Sequence, residues 1–127
     1  MTIEEKRKYP RLALRIEDGY FGNFILADDE KLVGPIVNIS AGGLNLAASE
    51  NAGQKIKVGD HLLLLSIAGG ANLAFLQQIP AEIRWIDKSG TPGYLSVGLE
   101  FMEVAEAVRE QLSKFVNSER KARGQYN

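Results

Sequence analysis

"LVGPIVNISAGGLNLAA", residues 32–48, sets two alternating apolar runs on either side of a tight turn. Residues 32–40 read as a strand. Pro35 has no N–H to give a ladder, which favours an edge or a bulge there. "SAGG" (40–43) is the turn, and "LNLAA" (44–48) alternates again. Asn38 and Ser40 stand two apart, so on a strand they share a face. Gly42 and Gly43 allow positive φ and close backbone approach.

Outward from this hairpin the same grammar repeats. Upstream, Leu12, Leu14 and Ile16 alternate with Ala13, Arg15 and Glu17, which predicts a half-buried strand. It resumes through "YFGNFIL" (20–26) after a turn or bulge at Asp18-Gly19, and "ADDEK" (27–31) is a polar turn. Downstream, 49–60 reads as a loop ending in a Gly-Asp turn. "HLLLLSIA" (61–68), "FLQQIPAEIRWID" (75–87) and "YLSVGLEFM" (94–102) read as strands, separated by "GGAN" (69–72) and "KSGTPG" (88–93). Short strands with Gly, Pro, Asn and Asp turns indicate an antiparallel barrel or sandwich. Closure removes exposed edges, which favours a small barrel. The period then changes. Val104, Val108, Leu112, Phe115 and Val116 form one stripe of an amphipathic helix over 103–123. Glu103 and Glu106 near its start, and Arg120, Lys121 and Arg123 near its end, suit the helix dipole.

The chain has 127 residues, which suits one domain. At this size roughly two-thirds of the unfolded surface leaves water, enough for a real core. Net charge is −1, so any anion site must be local. The absence of cysteine excludes disulfides, thiolate metal sites and cysteine nucleophiles, and fits a reducing cytosol. "LLLLSIA" (62–68) is too short to span a bilayer, and the charged N-terminus is no secretory signal. The expectation is a cytoplasmic protein without membrane association.

Catalysis needs clustered groups of tuned pKa. Here His61 is the single histidine, and the carboxylates sit mostly in turns or on the helix face. "DDE" (28–30) lacks the ligand spacing of a calcium loop, and no phosphate loop or dinucleotide fingerprint is present. An enzyme, a metal site and a cofactor are not expected.

Two anion-reading pieces remain. "EKRKYPR" (5–11) carries Lys6, Arg7, Lys8 and Arg11 ahead of the first strand, as a mobile basic arm over 1–10. A guanidinium fork can meet a phosphate or the O6/N7 edge of guanine, and its flat face can stack on a base. Pro10 restricts Tyr9 just before Arg11. The second piece is "NISAGG" (38–43), whose successive N–H groups could form an anion nest. Its plainer reading is a turn capped by Asn and Ser.

Arg7 and Arg11 as R-x-x-x-R, followed by Asn38, Ser40 and Gly43 as N-x-S-x-x-G, resemble the signature of the PilZ domain family, bacterial receptors for cyclic di-GMP. "GGLNL", "KVGDHLLLLSI", "AEIRWI", "VGLEFM" and the terminal helix extend the likeness over about residues 5–117. The resemblance implies a mainly β fold: a six-stranded antiparallel split β-barrel (11–102), a C-terminal helix (103–123) and a flexible N-terminal arm (1–10). It implies that Arg7 and Arg11 grip guanine edges and phosphates, that Asn38 and Ser40 hydrogen-bond the ligand, and that Gly43 shapes the turn. Lys6, Lys8, Gly42 and Trp85 are further candidate contacts; by residue type alone Trp85 belongs to the core or its edge. A second register, Arg11 and Arg15, places Arg15 inside the strand, and the family motif precedes the strand. Lys6 stands where many relatives carry arginine, which leaves one bound nucleotide or an intercalated pair open.

The expected function is a receptor that orders its arm on cyclic di-GMP and signals to a protein partner still to be found. The alternatives are a barrel of this family that serves as an interaction module without nucleotide, and a small barrel for single-stranded nucleic acid. Low aromatic content (8%) and negative net charge disfavour the last.

Overall fold

In this computed structural model, residues 9–125 are described. The hairpin forms as read: β3 (Lys31–Ser40) and β4 (Gly43–Ser49) pair antiparallel, with Ser40 opposite Gly43 and Asn38 opposite Asn45. The register shifts between Ile36 and Asn38, a bulge two residues beyond Pro35. Around it close β2 (Phe21–Ile25), β5 (His61–Ala68), β6 (Ile79–Lys88) and β7 (Tyr94–Phe101). The order β3-β2-β5-β6-β7-β4 returns to β3, so six antiparallel strands make a closed barrel. A further strand, β1 (Leu12–Ala13), pairs with the outer part of β3.

Alternation fills the barrel. Phe24, Leu32, Ile36, Leu46, Leu64, Ile83 and Val97 are inward and fully buried. The C-terminal helix (Glu106–Ala122) adds Leu112 and Val116, both buried, with Val108 and Phe115 half-buried against the same core. Its Phe115 meets Tyr20 edge to face at 6.4 Å.

Four local expectations change. The first strand stops after Ala13, because the Asp18 carboxylate accepts the Arg15 N–H at 2.7 Å and the chain turns into a 3₁₀ helix (Ile16–Asp18). Ile16 is thereby left exposed. The 49–60 loop contains a one-turn helix (Glu50–Gly53), capped by Ser49 Oγ accepting the Ala52 N–H. The strand expected from 75 begins at Ile79: Leu73 and Leu76, three apart, both dip into the core. Residues 103–105 precede the C-terminal helix, since Met102 N–H still bonds Pro80 O and holds the chain to the sheet.

Candidate ligand-binding site

One pocket, of about 340 Å³, opens on the outer surface where β3, β4, β6 and β7 meet the N-terminal segment. Its lining includes Arg11, Asn38, Ser40, Gly42, Gly43 and Trp85. The structure therefore brings together every described residue that the sequence nominated. Lys6, Arg7 and Lys8 lie outside the described residues. Arg15 is not part of this pocket; it is exposed at the start of the 3₁₀ helix.

Each wall has a local cause. Ile39 points inward and is fully buried, so Asn38 and Ser40 face outward together. Ser40 Oγ accepts the Gly42 N–H at 3.1 Å. This is the turn-capping role, and it occupies an N–H that the nest reading needed. Neither Gly42 nor Gly43 has positive φ. Close approach is what Gly43 supplies: a Cβ there would run into the Leu99 carbonyl and stand 3.1 Å from Glu100 Cα. The Asn38 side chain has no hydrogen-bond partner among the described residues, and its amide remains available to a ligand. Asn45, across from it, accepts Ser96 Oγ–H at 3.0 Å.

The opposite wall depends on a bulge. Ile83 pairs with Leu99 and Trp85 with Gly98, so Arg84 is the extra residue of β6. A bulge re-aims side chains; here Arg84 and Trp85 both face the pocket and are exposed. Trp85 is 38% exposed, so it is a wall of the pocket rather than core. Arg84 Nη1 lies 3.2 Å from Glu100 Oε1 and 3.4 Å from Glu82 Oε2. Arg11 makes no ion pair among the described residues.

Sequence reasoning did not nominate Tyr9, Asn45, Arg84, Gly98 or Glu100. Asn45 and Glu100 could have been found from strand register alone, since they lie opposite Asn38 and Gly43. Arg84 could not, because alternation with Trp85 would send it to the other face.

Chemically the site offers a guanidinium fork that has no ion pair among the described residues, a second one braced by carboxylates, an indole face and an open amide. A fork serves a phosphate or the O6/N7 edge of a purine, and an indole serves a base by stacking. Among the described residues no group of His, Asp and Glu could hold a metal ion, and no helix is long and apolar enough to cross a membrane.

A family model described as PilZ domain matches residues 5–118. No curated protein is a significant match. Among solved structures, the PilZ domain of YcgR from Escherichia coli with c-di-GMP is similar at TM-score 0.74 and 21% identity, over 94% of this chain and 96% of that one. The MrkH–c-di-GMP complex from K. pneumonia gives 0.73 at 13% identity, over 95% and 55% of the two chains. The Bacillus subtilis inhibitor of motility, MotI/DgrA, gives 0.68 at 21%, over 92% and 52%. This chain thus spans about half the length of the last two.

Proposed function

The chain belongs to the PilZ domain family, and from that membership we propose that it is a cyclic di-GMP receptor whose ligand occupies the pocket on β3, β4, β6 and β7. The observation that carries this reading is the convergence of Arg11, Asn38, Ser40, Gly43 and Trp85 on one cavity. Arg7 and Arg11 grip phosphates and guanine edges, Asn38 bonds a base edge with its open amide, and Trp85 stacks. Ser40 acts mainly through the turn it caps, and Gly43 by letting β4 lie close to β7. Relatives whose solved structures carry c-di-GMP share this fold.

The finer mechanism is an arm that the ligand draws onto the barrel. Fixing a residue's backbone costs about 1–2 kcal/mol, and charge-assisted bonds from Arg7, Arg11 and the flanking Lys6 and Lys8 must exceed that cost. The altered surface is then read by a protein partner. In this reading residues 1–10 are the arm, 11–102 the barrel and 103–123 the helix that follows it.

Calorimetric titration with cyclic di-GMP tests the proposal, with GTP and cyclic di-AMP as controls and Arg7→Ala and Arg11→Ala alongside. Micromolar or tighter binding, selective for the guanine dinucleotide and lost in both variants, is the expected result. Stoichiometry decides between one nucleotide and a pair. Absence of heat and of any thermal shift at high ligand would leave an interaction module in place of a receptor.

A further inference from the structure

Tyr9 joins the pocket to the C-terminal helix. Its ring covers Gly42, where an added Cβ would stand 2.8 Å from Cδ2 and 3.2 Å from Cε2. Its hydroxyl accepts a hydrogen bond from Arg109 Nη1 at 2.9 Å, and the Arg109 Cζ lies 5.3 Å from the ring centroid. Arg109 belongs to the early part of the C-terminal helix, a hundred positions along the chain. The Tyr9 ring itself lines the pocket.

Two features set this contact apart from ordinary packing. Arg109 is half-buried, yet no carboxylate pairs with it among the described residues, and its Nε is buried without a hydrogen-bond partner there. A half-buried cation whose side-chain partner among the described residues is an aromatic is an expensive way to pin a helix. It does add a positive charge beside the wall of a pocket already lined by Arg11 and Arg84 as well as Glu100, which favours an anion within. The second feature is position. Pro10 fixes φ between Tyr9 and Arg11, so seating Tyr9 sets where the Arg11 backbone lies.

We propose that Tyr9 and Arg109 are positioning residues for the ligand: their pair holds the chain at Tyr9 against the "SAGG" turn, so that Arg11 faces the pocket, and it ties ligand affinity to the C-terminal helix. This rests on the cyclic di-GMP reading above. Coupling free energy is reciprocal: whatever draws Arg109 off Tyr9 weakens nucleotide binding, and bound nucleotide strengthens the Tyr9–Arg109 contact.

The test is a double-mutant cycle by calorimetry on the full chain with cyclic di-GMP. It uses Tyr9→Ala, Arg109→Ala and the double variant, with Tyr9→Phe as the conservative change and the ligand-free Tm recorded for each. Each alanine variant is expected to lose about tenfold in affinity. The double variant should match either single to within about twofold. Tyr9→Phe should recover part of the loss, because its ring keeps the cation–π contact. Lowered Tm with unchanged Kd, or losses that simply add, overturn the inference while leaving the receptor intact. A wild-type chain that gives no heat removes the receptor reading, and this inference with it.

Discussion

The indole of Trp85 lies directly on the backbone of Gly98, so close that a Cβ at position 98 would collide with Cε2 and Nε1 and come within 2.8 Å of Cδ1. The two are cross-strand partners at the β6 bulge. A missing side chain on β7 is thus what lets the ring lie flat along the pocket wall instead of standing out into solvent.

Gly98→Ala is therefore expected to tilt the ring and disturb its stacking face. The chain has one tryptophan, so intrinsic fluorescence reports its environment without interference; the emission of Gly98→Ala should shift to the red. Base–aromatic stacking is worth about 1–3 kcal/mol by alanine substitution. Trp85→Ala should lose that much affinity for cyclic di-GMP, and Gly98→Ala a part of it. Binding equal to wild type in both would show that the indole does not touch the ligand.

The turn separates two roles that the motif runs together. Gly43→Ala would drive a methyl into the Leu99 carbonyl on β7, and overpacking of this kind costs about 1–3 kcal/mol. Ser40→Ala removes the acceptor of the Gly42 N–H, a loss of about 0.5–1.5 kcal/mol. Urea unfolding measures both. Asn38→Ala should leave the unfolding midpoint in place and weaken ligand binding, since its amide bonds nothing else among the described residues. The reverse ranking, with Asn38→Ala the least stable, would contradict these assignments.

The barrel was legible because period-two alternation and turn residues are local signals, and "NISAGG" carries both at once. Three things were not. The β6 bulge breaks alternation at Arg84, and nothing in "EIRWID" announces it. Leu73 and Leu76 plug the core from a short 3₁₀ helix (Ala71–Leu73) and the turn after it, because tertiary burial overrides local preference. Tyr9 was read as part of an arm; its ring packs over Gly42 and against Arg109, a contact no local pattern can foretell. Among the pocket residues, Asn38, Ser40, Gly42 and Gly43 on the hairpin were readable from spacing. Trp85 on β6 came from the family resemblance, Asn45 and Glu100 needed the register, and Arg84 needed the bulge itself.

Asp18 ties the segment before β2 to the end of the C-terminal helix. Its carboxylate accepts from Arg123 Nη1 at 2.9 Å and from the Arg15 N–H, and Gln125 clasps both backbone groups of Ala13. The Arg123 hydrogen bond first, and the Arg15 N–H second, hold the Asp18 pKa below its ordinary value. A carboxylate whose folded pKa is depressed stabilises the fold above its unfolded pKa, about 4, and loses that contribution as pH falls through the folded value. Asp18→Asn should accordingly be less stable than wild type at pH 7, and the gap should close as pH drops below about 4. Chemical denaturation at several pH values measures it; a gap independent of pH would mean that the carboxylate's charge contributes nothing.

Arg84 presents its guanidinium to the pocket between Glu82 and Glu100, and its worth to a ligand depends on those carboxylates. Exposed ion pairs contribute about 0–1 kcal/mol to folding, so changing either partner should leave the melting temperature nearly unmoved. Binding should move. Arg84→Ala leaves Glu100 without its Arg84 partner beside an anionic ligand, and affinity for cyclic di-GMP is expected to fall. Glu100→Gln removes the repulsion and releases Arg84 toward the nucleotide, and affinity is expected to rise about two- to fivefold. Both effects should shrink as salt screens the site, since the charges are exposed. Calorimetry at low and high salt gives the comparison. If Glu100→Gln instead weakens binding, the carboxylate either positions Arg84 or contacts the ligand itself. Arg84→Ala combined with Glu100→Gln separates those two: equal to Arg84→Ala alone in the first case, weaker still in the second.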